Sequence, residues 1–341
     1  MAFLYVVDSS TSLGLRQGQV VIKNPAVDHD REIPLASVDG ISVFGMAQLS
    51  TQLIRTCLTE HISIGYYTDD GHYIGKTSSF DSLDPIRQKH QMMLTDNDEF
   101  CLGWSKKIVS AKIHNSLKLL TAVCNGCKED ARSKCPLHRS LHNIEHAETI
   151  EVCIGYEGDA AKRYFRCLNN LIHIAEFRFS GRSSRPPRDA FNAMLSYGYS
   201  LLYRNIVGSI ERHGLHPYFG FMHRLRHGHA ALASDLIEEC RAPLVDKTIV
   251  DIVNAGGVSI DGFYKNSNGA VYMDKDTARR VTNELSSALV KKRTYFASAD
   301  DTRRYGFQVM LDMKLMSTIE AIERKDIGYY KPFIWEVARM T

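Results

Sequence analysis

The chain has 341 residues, of which 44% are hydrophobic and 24% are charged, and its formal net charge is +3. This composition is that of a globular protein with material for about two domains. Because the net charge is small, a nucleic-acid partner would need a local basic face. No apolar run reaches the roughly 18–20 residues that cross a bilayer, and Asp8 cuts short an apolar start that lacks a basic residue. We therefore expect a cytoplasmic protein.

Residues 1–80 have the pattern of short strands. The segments FLYVVDS, QVVIKN, GISVFG and ISIGYYTDDGHYIGK are rich in β-branched and aromatic residues and are separated by turn residues. One helix interrupts them at STQLIRTCLTEH, with Ser50 or Thr51 as its N-cap. The pattern predicts a small N-terminal β domain over residues 1–80, built as a sandwich or rolled sheet.

A polar segment containing Pro85 follows and predicts a linker over residues 81–90. Beyond it the hydrophobic period changes to 3.6, which predicts a larger, all-α domain over residues 91–341. Gly214 stands where one long helix should end, and Pro243 should kink or break another. The predicted fold class is α+β multidomain, with a β-sandwich-like domain before a helical catalytic domain.

One carboxylate in the helical region has an unusual position. In the segment IGYEGDAAKRYF, Ala160, Tyr164 and Leu168 form an apolar stripe, and Glu157 precedes Tyr164 by seven residues. Glu157 should therefore point toward the buried face of its helix. Either the helix dipole favours this acid in a first turn, or a cation offsets the cost of burying it.

Two further segments carry groups that can bind metals. HPYFGFMHRLRHGH places His223 after an aromatic, glycine-containing turn, and SDLIEEC places Asp235, Glu238 and Glu239 on one helical face. Carboxylates crowded in this way need a neutralising cation, and a divalent metal with oxygen ligands and one imidazole supplies it. The alternatives are a solvated acidic face and a hydrogen-bonded packing histidine.

The segment RFSGRSSRPPRD at 178–189 is a basic, glycine- and serine-containing loop stiffened by two prolines. Guanidinium groups on such a loop suit phosphate oxygens, although a solvated basic loop has the same pattern. Cations beside a metal-binding acidic cluster are what phosphodiester chemistry needs. The predicted DNA-binding residues in and beside this loop are Arg178, Arg182, Arg185, Arg188 and Asn192.

These segments together resemble the CRISPR-associated protein 1 family, the DNA integrase and endonuclease subunit of spacer acquisition. REIPLASVDGISVFGMAQLST and HISIGYYTDDG resemble its β domain, and AKIHN resembles its entry into the helical domain. YEGDAAKRYF, RPPRDAFNAMLSYGYSLL, GLHPYFGFMH, SDLIEECR and YYKPF resemble its catalytic-domain motifs in the expected order. The resemblance covers nearly the whole chain.

The resemblance implies a metal site made of Glu157, His223 and Glu238, which would also be the catalytic residues. Some relatives have Asp at the third position, so Glu238 keeps the charge on a longer arm. Asp235 would be an auxiliary group and Glu239 a solvated neighbour. The implied cofactor is Mg²⁺ or Mn²⁺.

The resemblance also implies a reaction and its partners. The 3′-hydroxyl of a short duplex, the spacer precursor, attacks a phosphodiester at the edge of a CRISPR repeat, and water as nucleophile turns the same site into a nuclease. Integration on two strands requires two active sites. The implied partners are therefore DNA, a second copy in a homodimer and a small dimeric CRISPR adaptation protein. Motif positions at Arg188 and Asn192 should face the substrate.

A cysteine cluster departs from the family pattern. CNGCKEDARSKCPLH at 124–138 places Cys124, Cys127, Cys135 and His138 at spacings typical of a Cys3His structural zinc loop. The alternatives are a metal-free loop and, less compatible with a reducing cytoplasm, a disulfide. His142 and His146 are spare ligands.

Three other functions share some of these residues. HAE at 146–148 matches one deaminase motif, but the cysteine pair comes earlier and lacks the preceding proline, which excludes that reading. A structure-selective DNA nuclease outside CRISPR adaptation would use the same residues. A non-catalytic DNA-binding scaffold held by zinc is disfavoured because Glu157, His223 and Glu238 are all present.

Overall fold

The computed structural model describes residues 2–68, 73–79, 84–123, 137–291 and 306–335. The chain divides into two compact units, Met1–Asp84 and Pro85–Thr341. None of the helices in these described ranges has an apolar stretch long enough to span a membrane.

The first unit contains two sheets in its described part. One has the strand order β1-β5-β7-β8, with β1, β5 and β7 parallel and β8 antiparallel to β7, and the other has the order β4-β3-β2-β6. The strands are β1 Ala2–Val6, β2 Ser12–Arg16, β3 Gln19–Lys23, β4 Arg31–Pro34, β5 Val38–Phe44, β6 Gln48–Leu49, β7 Ser63–Tyr67 and β8 Tyr73–Thr77.

Side chains from both sheets form one core. Leu13 and Val20 from the second sheet join Ile41 and Ile64 from the first, and each is at most 2% exposed. Helix α1, Thr51–Thr59, adds its apolar face to this core, and Ser50 caps it by accepting the Leu53 N–H at 3.2 Å. The sandwich-like prediction is confirmed, because each sheet buries one face against the other.

The second unit is mainly helical. Its helices are α2 Pro85–Leu94, α3 Asp98–Val123, α4 Leu137–Glu145, α5 Ile150–Asn169, α6 Ala190–Arg212, α7 Ala231–Ile237, α8 Lys247–Asn254, α9 Lys275–Val290 and α10 Phe307–Arg324. A two-stranded antiparallel hairpin, β9 Phe263–Lys265 and β10 Val271–Met273, corrects the prediction that this domain is all α. Its turn contains Gly269 at φ +80°, a conformation that glycine adopts without steric cost.

The predicted linker at 81–90 is wrong at its C-terminal end, because residues 85–90 belong to α2. Proline is favoured in the first turn of a helix, where its missing N–H has no partner in any case. Pro85 therefore begins a helix here.

Two other signals are confirmed. Pro243 lies in a π-helical turn, Arg241–Asp246, that separates α7 from α8. Gly214 follows α6 with φ +71°, as expected for a helix end.

Candidate active site and nucleic-acid interface

The carboxylates of Glu157 and Glu238 meet around one lysine. Glu157 projects from α5, Glu238 directly follows α7, and Lys112 comes from α3. Lys112 Nζ forms ion pairs with Glu157 Oε1 and, at 2.6 Å, with Glu238 Oε2. The stripe predicted on α5 is buried as expected at Ala160 and Leu168, so the fold holds Glu157 at the inner edge of its helix.

Glu238 is the more buried of the two acids. Its side chain is 7% exposed, and its Oε1 lies 3.0 Å from Arg241 Nη2. Burial alone would raise the pKa of this carboxyl, but the charges of Arg241 and Lys112 outweigh burial and lower the pKa to about 2. Glu238 is therefore ionised at neutral pH and can act as a metal ligand without first losing a proton.

His223 is held by Asp235, which is fully buried. Asp235 accepts the backbone N–H groups of Phe221, Met222 and His223 at 2.7, 3.0 and 2.9 Å, and its Oδ1 lies 2.7 Å from His223 Nδ1. With the Nδ1 proton donated to Asp235, Nε2 is the ring nitrogen left to bind a cation. Asp235 thus positions the turn and the imidazole, and both of its oxygens are already engaged.

The charge of Asp235 also acts on the imidazole. Burial would lower the pKa of His223, but the hydrogen bond and charge of Asp235 outweigh it and raise the pKa. Asp235 therefore orients the ring and makes it more basic.

Glu157, His223 and Glu238 line one cavity of about 1270 Å³, here called the histidine cavity. Their ligand atoms do not all lie within 4.8 Å of one another, and Lys112 Nζ stands between the two carboxylates. The donor set of two carboxylates and one imidazole nitrogen nevertheless fits a divalent cation. A cation shared by all three would replace the Lys112 ammonium group as the partner of the two acids.

A second cavity, of about 690 Å³, is also lined by Glu157 and is here called the basic cavity. Within the described part of the chain, Glu157 is the one acid that lines it. The basic residues that line it are Lys112, Lys162, Arg166, Arg182, Arg185 and Arg241. Such a surplus of cations attracts polyanions such as the phosphate backbone of DNA.

Tyr199 organises two of these arginines, and the sequence pattern did not single it out. The guanidinium carbons of Arg182 and Arg241 lie 5.3 and 4.8 Å from the centre of the Tyr199 ring. The Tyr199 hydroxyl donates to Asp246 Oδ1 at 2.5 Å, and Tyr164 donates to Asp246 Oδ2 at 2.6 Å. A buried carboxylate thus fixes the ring that both arginines face.

The family model described as CRISPR associated protein Cas1 matches residues 4–287. The chain belongs to the Cas1 family. A CRISPR-associated endonuclease Cas1 of Mycobacterium tuberculosis (strain CDC 1551 / Oshkosh) is 40% identical over 95% of this chain and 94% of its own length. Another, from Chlorobaculum tepidum, is 28% identical over 97% of this chain and 98% of its own length.

Solved Cas1-like structures share the fold. A casposase bound to an integration product superposes with a TM-score of 0.82 at 22% identity, covering 100% of this chain and 96% of its own. A Cas1 protein from Thermotoga maritima superposes with a TM-score of 0.77 at 21% identity, covering 99% of this chain and 100% of its own. At these identities the likeness shows the fold of the Cas1 family and nothing finer.

In this Cas1-family chain, the residues predicted to bind DNA separate into groups. Arg182 and Arg185 line the basic cavity. Arg178 is exposed but does not line this cavity, and its Nε donates to the Ile172 carbonyl at 3.3 Å. Arg188, also exposed, donates through NH1 to the Asn268 carbonyl at 2.8 Å and ties the loop to the hairpin.

Asn192 does not face substrate in this structure. It is fully buried, and its Nδ2 donates to the Gly181 carbonyl at 2.9 Å and to Asp189 Oδ2 at 2.7 Å. Its Oδ1 accepts from Arg182 Nη1 at 2.9 Å and from the Ser183 N–H at 3.2 Å. Because its side-chain polar atoms are used within the chain, Asn192 shapes the arginine loop.

Glu239 is not a solvated neighbour, contrary to the expectation from the sequence. It is fully buried, forms an ion pair with Lys314, and accepts from the Tyr330 hydroxyl at 2.8 Å and the Phe333 N–H at 2.7 Å. A buried carboxylate needs such a set of partners. Glu239 therefore anchors the segment after α10 to the end of α7.

The cysteines of the predicted zinc loop, Cys124, Cys127 and Cys135, lie outside the described residues. His138, the fourth predicted ligand, is exposed on α4. The Cys3His zinc site stays a prediction.

Proposed function

We propose that this chain is a metal-dependent DNA endonuclease and integrase of CRISPR adaptation, which inserts short duplexes at CRISPR repeats by 3′-hydroxyl attack on a phosphodiester. The observation that carries the proposal is the place of Glu157. It borders both the cavity that holds His223 and Glu238 and the cavity that is lined by cations. A phosphate held on the basic side would therefore lie beside the acidic and imidazole ligands.

Glu157, His223 and Glu238 would hold the divalent cation, Mg²⁺ or Mn²⁺, with Asp235 as auxiliary group. The bound cation would lower the pKa of the attacking hydroxyl and offset charge on the transferring phosphate. The chain's own contribution is orientation: Asp235 directs His223 Nε2 toward the cavity, and Arg241 keeps Glu238 ionised.

The basic cavity would hold the DNA backbone. Lys162 and Arg166 are exposed on successive turns of α5, and Arg185 is exposed on the loop opposite them. Contacts of this type neutralise phosphates without reading bases, so binding should tolerate many sequences and weaken with salt. That behaviour suits an enzyme whose incoming DNA varies from one event to the next.

The reaction also bears on assembly. Joining both ends of a duplex takes two active sites, so we propose a homodimer that works with a small dimeric CRISPR adaptation protein in the cytoplasm. A Cas6-RT-Cas1–Cas2 complex is among the solved structures with this fold, at a TM-score of 0.77.

A strand-transfer assay tests the proposal. The substrates are a labelled duplex and a plasmid that carries a CRISPR repeat, with Mn²⁺ and the companion protein present. The wild-type chain should join the label to the plasmid, and His223→Ala should abolish joining while DNA binding stays nearly intact. If joining survives that substitution, the assigned site is wrong.

The alternative function, a structure-selective nuclease outside CRISPR adaptation, uses the same residues. It predicts cut DNA without joined product in the same assay. Cleavage that depends on His223 but never yields labelled plasmid would favour this alternative over the integrase.

A further inference from the structure

We propose that His142, Glu145 and His146 form a second metal site, on the surface at the end of helix α4, which binds Zn²⁺ or a chemically similar late first-row divalent cation. One ligand atom from each residue lies within 4.8 Å of the other two. Across the described ranges of the chain, no other group of three His, Cys, Asp or Glu residues meets this distance.

The three side chains are ready to bind. All are exposed, and in the described part of the chain none of them has a hydrogen bond or ion pair through its side chain. The two imidazole rings lie 4.7 Å apart at 68° to each other. Zinc bonds of about 2.0–2.1 Å bring tetrahedral ligand atoms to about 3.4 Å from one another, so rotation of side chains alone can close the site.

The backbone beneath the site is fixed. His142 and Glu145 are one turn apart on α4, whose opposite face buries Leu137 and Ile144 where the helix packs against α3 and α5. The Ala147 N–H donates to the Ile144 carbonyl at 3.2 Å and closes the last turn. A rigid face of this kind lowers the entropy lost when the ligands are ordered around an ion.

The helix end adds an electrostatic reason. The three residues surround the C-terminal turn of α4, where the helix dipole favours positive charge. Lys106 Nζ already donates to the Glu145 carbonyl at 3.0 Å, which shows that a cation is accepted at this end. Lys106 contacts the backbone carbonyl of Glu145 and not its carboxylate, so the side chain stays available to a metal ion.

The donor set selects the metal class. Two imidazole nitrogens and one carboxylate oxygen match zinc sites that have three protein ligands, in which water or an outside ligand fills the fourth position. Mg²⁺ prefers oxygen ligands and would not be held by two imidazoles. This site is thus distinct in chemistry from the Mg²⁺ or Mn²⁺ proposed at the active site.

Metal binding to the full-length chain and to single variants tests the proposal, with Zn²⁺ and Co²⁺ as probes. His142→Ala and His146→Ala should each weaken Zn²⁺ binding at this site by at least about 10-fold, since loss of even an outer partner of a metal ligand costs that much. The isosteric Glu145→Gln should weaken it in the same direction. His173→Ala, which removes an exposed histidine elsewhere, is the matched control and should have no effect.

Two readouts separate this site from others. Zn²⁺ should raise the melting temperature of the wild type and of Glu157→Ala, but the rise should be smaller in His142→Ala. In the Co²⁺ protein, removal of His142 should reduce ligand-field bands and leave any thiolate charge-transfer band unchanged. Unchanged Zn²⁺ affinity in both histidine variants would overturn the proposal. Loss of a thiolate band together with His142 would overturn it too, because the histidines would then belong to a cysteine site.

Discussion

The two cavities that share Glu157 have opposite electrostatic character. Among the residues that the structure describes, six cationic residues and one acid line the basic cavity, whereas seven acids, two arginines and His223 line the histidine cavity. DNA phosphates are attracted to the first and repelled by the second, and a divalent cation has the reverse preference. Glu157 lines both cavities, so in the proposed reaction a metal ion and a phosphate would meet beside it.

A second contrast is between two neighbouring acids, only the first of which lines the histidine cavity as the structure describes it. Glu238 and Glu239 are adjacent and both are buried, but Glu238 turns toward Lys112 and Arg241, whereas Glu239 turns toward Lys314 and Tyr330. The first pair of partners belongs to the proposed site and the second to the structural core. Adjacent carboxylates thus acquire different roles because the turn that follows α7 points them in different directions.

The largest expected effect is on catalysis. His223→Ala should lower the strand-transfer rate on the order of 10³-fold, because a bound metal contributes several kcal/mol and each 1.36 kcal/mol is a factor of ten. The matched control is His227→Ala, an exposed histidine of the same loop, which should retain activity. Equal losses in both variants would show that the loop, and not the His223 ring, is what matters.

The next largest effect is expected on stability, at Lys112, which pairs with both Glu157 and Glu238. Lys112→Gln leaves Glu157 and Glu238 without their shared cation, so with metal chelated the free energy of unfolding should fall by about 3 kcal/mol. Added Mn²⁺ should restore much of that loss, as followed by thermal unfolding. Lys107→Gln is the control on the same helix, because Lys107 Nζ donates to the carbonyls of Ile327 and Tyr330 at 2.7 and 2.8 Å. If Mn²⁺ rescues both variants equally, the two carboxylates are not the metal ligands.

A smaller effect is expected on DNA affinity. Arg166→Ala and Lys162→Ala should each weaken DNA binding by up to about 1 kcal/mol and reduce the salt slope by about 1, because each removes one cation from the basic cavity. Arg163→Ala is the matched control on the same helix, since Arg163 pairs with Asp159 at 2.9 Å and does not line the cavity. Fluorescence anisotropy over a salt series measures the difference. An unchanged slope in Arg166→Ala would remove that residue from the interface.

The smallest effect is expected on the pH dependence of stability, through Asp246, which accepts the hydroxyl of Tyr199. Burial raises the pKa of Asp246, against the opposing hydrogen bonds of Tyr164 and Tyr199, so the folded chain keeps this proton to a higher pH than the unfolded chain does. Stability should therefore fall as pH rises above the ordinary value of 3.8 toward the raised folded value. Asp246→Asn should flatten that part of the stability profile in denaturant unfolding at a series of pH values. An equal slope in the variant would assign the pH dependence to other groups.

Much of the fold could be predicted from local pattern. Alternating strands with turn residues predicted the β unit, and the Ser50 cap, the Gly214 helix end and the Pro243 break follow from backbone chemistry at single positions. The exceptions were also local. Pro85 can begin a helix as readily as it can end one, and the short hairpin β9–β10 has too few residues for a period to be read.

The site was predicted less completely. Glu157, His223 and Glu238 were singled out by spacing and resemblance, and the fold brings them to one cavity. Lys112, Tyr199 and Asp246 were missed, because an isolated lysine or tyrosine in a helical segment has no distinguishing local pattern. Asn192 and Glu239 were assigned the wrong surroundings for the same reason: spacing gives the helical face of a residue but not what packs against that face.

The sequence by itself determined the family, the division into a β unit and a helical unit, and the residue types able to hold a cation and a phosphate. These depend on hydrophobic period, turn chemistry and motif order, which are local properties of the chain. Only the tertiary structure decided that Lys112 lies between the two acids, that Asp235 aims His223, and that Glu157 borders two cavities of opposite charge. Those relations join residues up to 126 positions apart, since Lys112 pairs with Glu238, and the packing of α3, α5 and α7 sets them.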